Sequence, residues 1–142
     1  MKETMLYTIS YDDMKKIIKD YYAQQGRNVD LRISNEIDDD RFAGMVTTSI
    51  QMTEKSIIAG IESKAQCYLN MDDLKEIIRE VIDQEGKELL DLTDNAISSS
   101  RIEGYGMGEH EVKSITCKSF TITTREKKKS FLKQLNRQSD LK

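Results

Sequence analysis

SYDDMKKIIKDYYAQQGR (residues 10–27) returns sixty residues later as NMDDLKEIIREVIDQEGK (residues 70–87), and the two stretches align without a gap. Identities fall at Asp12/Asp72, Asp13/Asp73, Lys15/Lys75, Ile17/Ile77, Ile18/Ile78, Gln24/Gln84 and Gly26/Gly86. The same offset continues at Asn35/Asn95, Ile37/Ile97, Arg41/Arg101 and Gly44/Gly104. A fixed period of this kind is the signature of an internal duplication.

Each copy spells out a capped amphipathic helix. Ser10 and Asn70 are N-cap residues, and Asp13 and Asp73 stand at N3, where a carboxylate can reach back to the cap. Asp12 and Asp72 put negative charge in the first turn, where the helix dipole favours it. Ile9 with Met14, and Leu69 with Leu74, have the spacing of a hydrophobic staple. Apolar residues then recur at Met14, Ile17, Ile18, Tyr21, Tyr22 and at Leu74, Ile77, Ile78, Val81, Ile82, one stripe of 3.6-residue period in each copy. Gly26 and Gly86 supply left-handed C-terminal stops.

Alternation and β-branched residues predict strands around these helices. Met5, Tyr7 and Ile9 lead into the first helix and Gln66 to Leu69 into the second. Val29–Ile33 and Glu88–Thr93 follow the helices. Two longer strands are expected at Met45–Thr53 and Val112–Thr124, the latter with Ile115, Cys117, Ser119, Thr121 and Thr123 on one face. Ser56–Lys64 fits one or two helical turns or a strand running into Cys67, and the strand is preferred. Ser130–Gln138, with Phe131, Leu132 and Leu135 on one side, suits a short terminal helix. The expected fold is therefore α+β: a tandem duplication of a strand-helix-strand-strand unit, packed about a pseudo-twofold as one domain. Its parts are repeat one (1–55), a connector (56–64), repeat two (65–124) and a basic tail (125–142).

Composition narrows the function classes. Of 142 residues, 37% are hydrophobic and 33% charged, polar for a folded chain but outside the disordered range. No apolar h-region or membrane-length run is present, so a soluble, cytoplasmic protein without a membrane partner is expected. Cys67 and Cys117 read as free, partly buried thiols of a reducing compartment. The net charge of −3 is unevenly placed. Residues 125–142 hold seven Lys or Arg against Glu126 and Asp140, a balance of +5, which leaves −8 on the preceding 124 residues. An acidic body with a basic tail is unlike a general nucleic-acid binder. Nucleic acid enters only as an alternative, through Lys127, Lys128, Lys129, Lys133 and Arg137.

The candidate sites are few. Arg41 and Arg101 follow polar triplets (Asp38–Asp40 and Ser98–Ser100), and a pseudo-twofold would set them symmetrically. Their guanidinium forks could grip a phosphate or carboxylate, or each could brace its own hairpin. The second copy also carries about a dozen extra residues, opening with Tyr105-Gly106-Met107-Gly108-Glu109-His110-Glu111. That loop either closes over a ligand or is a longer hairpin. Glu109, His110 and Glu111 have the residue types of a metal or general-base site, but neighbouring residues of a strand point to opposite faces, which favours a solvated loop. Asp38–Asp40 lacks the spacing of a calcium loop. No nucleophile–base pair, phosphate loop or zinc framework occurs, so no catalytic residues, metal or cofactor are assigned. A small hydrolase built on His110, Glu109 and Glu111 is the weakest alternative.

The segment Gly104–Glu111 resembles small, uncharacterised accessory proteins of phages and prophages in low-GC Gram-positive bacteria. The resemblance implies a non-enzymatic binding protein that blocks a host protein, such as a defence component, or sequesters a nucleotide-like anion. On that reading Arg41, Arg101, Tyr105, Glu109 and His110 are the ligand-binding set, in a cleft between the repeats. A homo-oligomer is compatible with it.

Overall fold

The two predicted helices are present with their punctuation intact. In the computed structural model, which describes residues 3–37, 46–104 and 106–127, α1 spans Tyr11–Ala23 and α2 spans Met71–Gln84. Both begin with a reciprocal capping box. Ser10 Oγ accepts from the Asp13 N–H at 3.1 Å and Asn70 Oδ1 from the Asp73 N–H at 2.9 Å, while each aspartate accepts from the cap's own N–H. At the α1 C-terminus the Gly26 N–H donates to Ala23 O and the Arg27 N–H to Tyr22 O, the paired bonds of a Schellman turn. That turn needs a positive φ, and Gly26 supplies +77°.

Eight strands accompany the helices among the described residues: β1 (Thr4–Ser10), β2 (Val29–Ile37), β3 (Val46–Ile58), β4 (Ile61–Leu69), β5 (Lys87–Asp94), β6 (Ile97–Glu103), β7 (His110–Thr116) and β8 (Ser119–Glu126). They form an antiparallel sheet β2-β3-β4, a second antiparallel sheet β1-β8-β5 and the two-stranded hairpin β6-β7. The fold is α+β, as expected, but the strands are shared out across the two halves. The strand that enters α2, β4, completes the sheet next to α1. The strand that enters α1, β1, completes the sheet next to α2.

The central strands hold corresponding places. In one sheet Ile50 lies between Ile33 and Leu69; in the other Phe120 lies between Asp94 and Ile9. One cluster collects Met14 and Ile18 of α1, Leu74, Ile77, Ile78 and Ile82 of α2, Ile50, Leu92, Phe120 and Ile122. Tyr11 ties the sheets together at the edge of this core. Its ring lies 5.1 Å from that of Phe120, and its hydroxyl donates to Asp94 Oδ1 (3.2 Å) while accepting from Asn35 Nδ2 (3.0 Å). Burial, first of all, pushes the Tyr11 hydroxyl above its ordinary pKa. Among the described residues, no helix is long and apolar enough to cross a membrane.

Several expectations need correction. The single strand over Val112–Thr124 is two, because Cys117 takes a φ of +59° and breaks β7 from β8. The core-facing set of β8 is Phe120, Ile122 and Thr124, while Ser119, Thr121 and Thr123 are only half-buried. Both cysteines are free thiols but exposed rather than partly buried. Ile17 is half-buried, unlike Ile18, Ile77 and Ile78. Residues 56–64 are strand, as preferred, but not a separate connector: they are the end of a β3–β4 hairpin that turns at Ala59-Gly60. Arg125 and Glu126 complete β8 rather than open a tail. The tail from residue 128 on, with the helix expected at Ser130–Gln138, lies outside the described residues.

The sixty-residue offset also slips. Val29↔Glu54 and Leu89↔Thr124 correspond with shifts of 60 and 70 residues. An irregularity at Leu90 then inserts one residue, so Leu31↔Met52 corresponds to Leu92↔Ile122, with shifts of 61 and 70. Asn35 and Asn95, identical in the alignment, therefore stand one ladder step apart: Asn95 takes the place of Ser34, its N–H donating to Ser119 O at 2.9 Å.

Candidate functional site

The extra residues of the second half follow β6 and lead through its loop into β7, and the β6-β7 hairpin packs chiefly on itself. Its loop is a single 3-10 turn at Gly106–Gly108, and a Cβ at Gly104 would collide with the Gly108 carbonyl oxygen. Glycine is thus required at position 104 by close approach as well as by its φ of +95°. The tight loop sets Glu103 directly across the ladder from His110, and Arg101 across from Val112.

Three of the side chains on this hairpin form a chain of polar contacts. Arg101 pairs with Glu103, two residues along the same face of β6. Glu103 Oε2 also lies 3.9 Å from His110 Nε2, and His110 Nδ1 lies 3.2 Å from the Gly108 carbonyl. The carboxylate beside His110 is therefore Glu103, which sequence inspection overlooks. Glu111 faces away, across from Ile102. Among the described residues no three His, Cys, Asp or Glu side chains gather as metal ligands. The Arg101 side chain is 74% exposed, and this surface pair leaves its guanidinium open to solvent on the far side. Arg41 and Tyr105 lie outside the described residues. Apolar side chains stand exposed on the same hairpin, Ile97 at 53% and Ile102 at 73%.

Between the helices, where a cleft between repeats would fall, a groove of about 210 Å³ is lined by Ile17, Tyr21, Val81, Asp20, Gln24, Gln84 and Glu85. Tyr21 closes part of it by donating its hydroxyl to Glu80 Oε2. Its charge is acidic, and it contains no arginine. The cationic groove lies elsewhere, beside α2 and β5. About 370 Å³ in volume, it is lined by Arg79, Lys87, Lys127, Asp83, Glu88 and Leu89. Lys127 pairs with Asp83, Arg125 makes a two-pronged contact with Glu88 (2.8 and 3.2 Å), and Lys87 Nζ donates to the Tyr7 hydroxyl at 2.9 Å. Of the tail cations, Lys127 is thus part of this groove. Lys128, Lys129, Lys133 and Arg137 lie outside the described residues.

No protein-family model matches the chain, and comparison with curated proteins and with solved structures gives no match.

Proposed function

We propose that this chain is a non-catalytic, cytoplasmic binding protein of the mobile-element accessory type, which acts by occluding a host protein through its β6-β7 hairpin. One observation carries the reading: the β6-β7 hairpin contributes nothing to the buried cluster, yet holds Ile97 in solvent on the face of the Arg101–Glu103–His110 chain and Ile102 in solvent on the opposite face. An element that leaves large apolar side chains in water stabilises the fold little, and rigid hairpins of mixed apolar and charged character suit protein recognition. The two helix-and-sheet groups are best understood as products of one duplicated unit, with the extra residues after Gly104 as the later addition to one copy. The test is capture of the host protein by the parent, followed by reconstitution with that protein purified. Ile102→Ser and Glu103→Lys should each weaken binding by tenfold or more without moving the unfolding midpoint. Undiminished binding by both variants would remove the hairpin from the contact.

Sequestration of a nucleotide-like anion by Arg101 is a separate version of the same reading. Calorimetry with a nucleotide panel tests it, because Arg101→Lys keeps charge but loses the fork. The alternative, nucleic-acid association, is favoured by the groove that sets Arg79 and Lys87 beside Lys127. Steep salt dependence of oligonucleotide binding, relieved by Arg79→Ala, is its expected mark.

A further inference from the structure

We propose that the free edge of β4 pairs antiparallel with β4 of a second copy of this chain, about a twofold axis at Ser63. In the sheet order β2-β3-β4, β4 has no strand on its outer side among the described residues, and seven of its nine residues are exposed. An uncovered edge of that length is a template for another strand.

The ladder fixes which backbone groups are available. Ile58 and Ile61 face each other across the two-residue turn Ala59-Gly60, whose φ values of +51° and +79° give a primed turn. The pair flanking such a turn is hydrogen-bonded, so Ile61, Ser63 and Ala65 direct their N–H and C=O groups to β3. Glu62, Lys64 and Gln66 then direct theirs outward.

Charge selects the register. On the outer face Lys55 and Lys64 stand directly opposite each other, and among the described residues no ion pair holds either one. Like charges in that position destabilise a ladder. Pairing that keeps the two faces in register can place the twofold at Ser63, Lys64, Ala65 or Gln66, and an axis at Gln66 sets Lys64 against Tyr68 of the second copy, again leaving the lysine uncompensated. An axis at Lys64 would add a second lysine clash. An axis at Ala65 would set Lys64 against Gln66 of the second copy and Glu62 against Tyr68, leaving the lysines uncompensated. An axis at Ser63 sets Glu62 of each copy against Lys64 of the other, twice over.

The same register lays Ile61, 69% exposed, beside Ala65 of the second copy, next to the equally bare Ile58. The overlap ends at Gln66, four residues before the α2 cap at Asn70, and it uses no residue of β6-β7. A contact this short belongs at the weak, transient end of interfaces.

A charge swap tests the register itself. In sedimentation velocity over a concentration series, the parent should pass from monomer to dimer. Glu62→Lys and Lys64→Glu should each weaken association about tenfold, since each turns two attractive pairs into two repulsive ones. The double variant should recover it. In a Cys67→Ser, Cys117→Ser background, Ser63→Cys should oxidise to a disulfide-linked dimer faster than Ala65→Cys. A parent that stays monomeric throughout, a double variant as weak as the singles, or faster cross-linking at position 65 would overturn the proposal.

Discussion

The sheets β2-β3-β4 and β1-β8-β5 solve the same problem with different chain routes. The first is a meander of three consecutive strands, closed by the Ala59-Gly60 turn. The second draws its strands from opposite ends of the sequence and is interrupted by a hairpin between β5 and β8. Where the first sheet places Ile50 at its centre, the second places the larger Phe120. Where the first fills the position opposite Val29 with Glu54, the second fills the corresponding one with Thr124. The helices differ too: α2 buries Leu74, Ile77, Ile78 and Ile82, whereas α1 buries Met14 and Ile18. The lesson is that one local plan, helix then strand then central strand, tolerates very different means of supplying the third strand. The second half carries more of the core.

That asymmetry can be broken at its centre. Phe120→Ala should cost about 3 to 5 kcal/mol and Ile50→Ala about 2 to 5 kcal/mol, so urea melts should show the β8 variant at least as damaged as its counterpart. A β8 loss well below the β3 loss would reverse the ranking of the two sheets. Tyr11→Phe should cost about 1 to 3 kcal/mol, because it removes the hydroxyl that Asn35 and Asp94 share and leaves both half-buried groups short of a partner. Thermal unfolding of that variant at the parent's midpoint would show that the bridge between sheets is incidental.

Thr124→Val should act in the opposite direction. The Thr124 hydroxyl is fully buried and has no hydrogen-bond partner among the described residues, so exchanging it for a methyl should stabilise by about 1 kcal/mol. A loss instead would reveal a water bonded there. The smallest effect concerns Glu54, which accepts both prongs of the Arg27 guanidinium at 3.0 Å. That bond holds the Glu54 carboxyl below its ordinary range. Its stabilisation is complete above the ordinary value of about 4.3 and is lost as pH falls through the lower folded value. Glu54→Gln should therefore match the parent in acid and fall slightly behind it at neutral pH. A constant gap across that range would assign the contact to packing rather than charge.

The helices were fully legible because every signal for them is local: caps, stripe and stop lie within eighteen residues. The strands were legible only as short apolar alternations. Nothing near Cys117 announces a turn, since neither Cys117 nor Lys118 is a turn former, and the break there depends on where β7 and β8 must go. Phe120 was overlooked because threonine alternation drew attention to the other face of β8. The partner of β1 could not be read at all, because it lies more than a hundred residues away along the chain. At the candidate site the loop and its His110 were visible, but Glu103 joins them only through cross-strand register. The same holds for Arg79 and Lys87, which meet Lys127 by tertiary packing alone.

Because Thr4 pairs with Arg125, the beginning of β1 and the end of β8 stand side by side, in the place that the Ala59-Gly60 turn occupies in the other sheet. The order in which the strands are written is therefore interchangeable with their spatial order. A circular permutant running from Ile61 to Lys127, through an Asn-Gly turn to Glu3, and ending at Ile58 would keep every ladder of both sheets intact. Such a chain should refold to the same core with a loss of no more than a few kcal/mol, and its two helix-and-sheet groups would then exchange routes: β8 would run straight into β1, while β4 and β2-β3 would come from opposite ends of the chain.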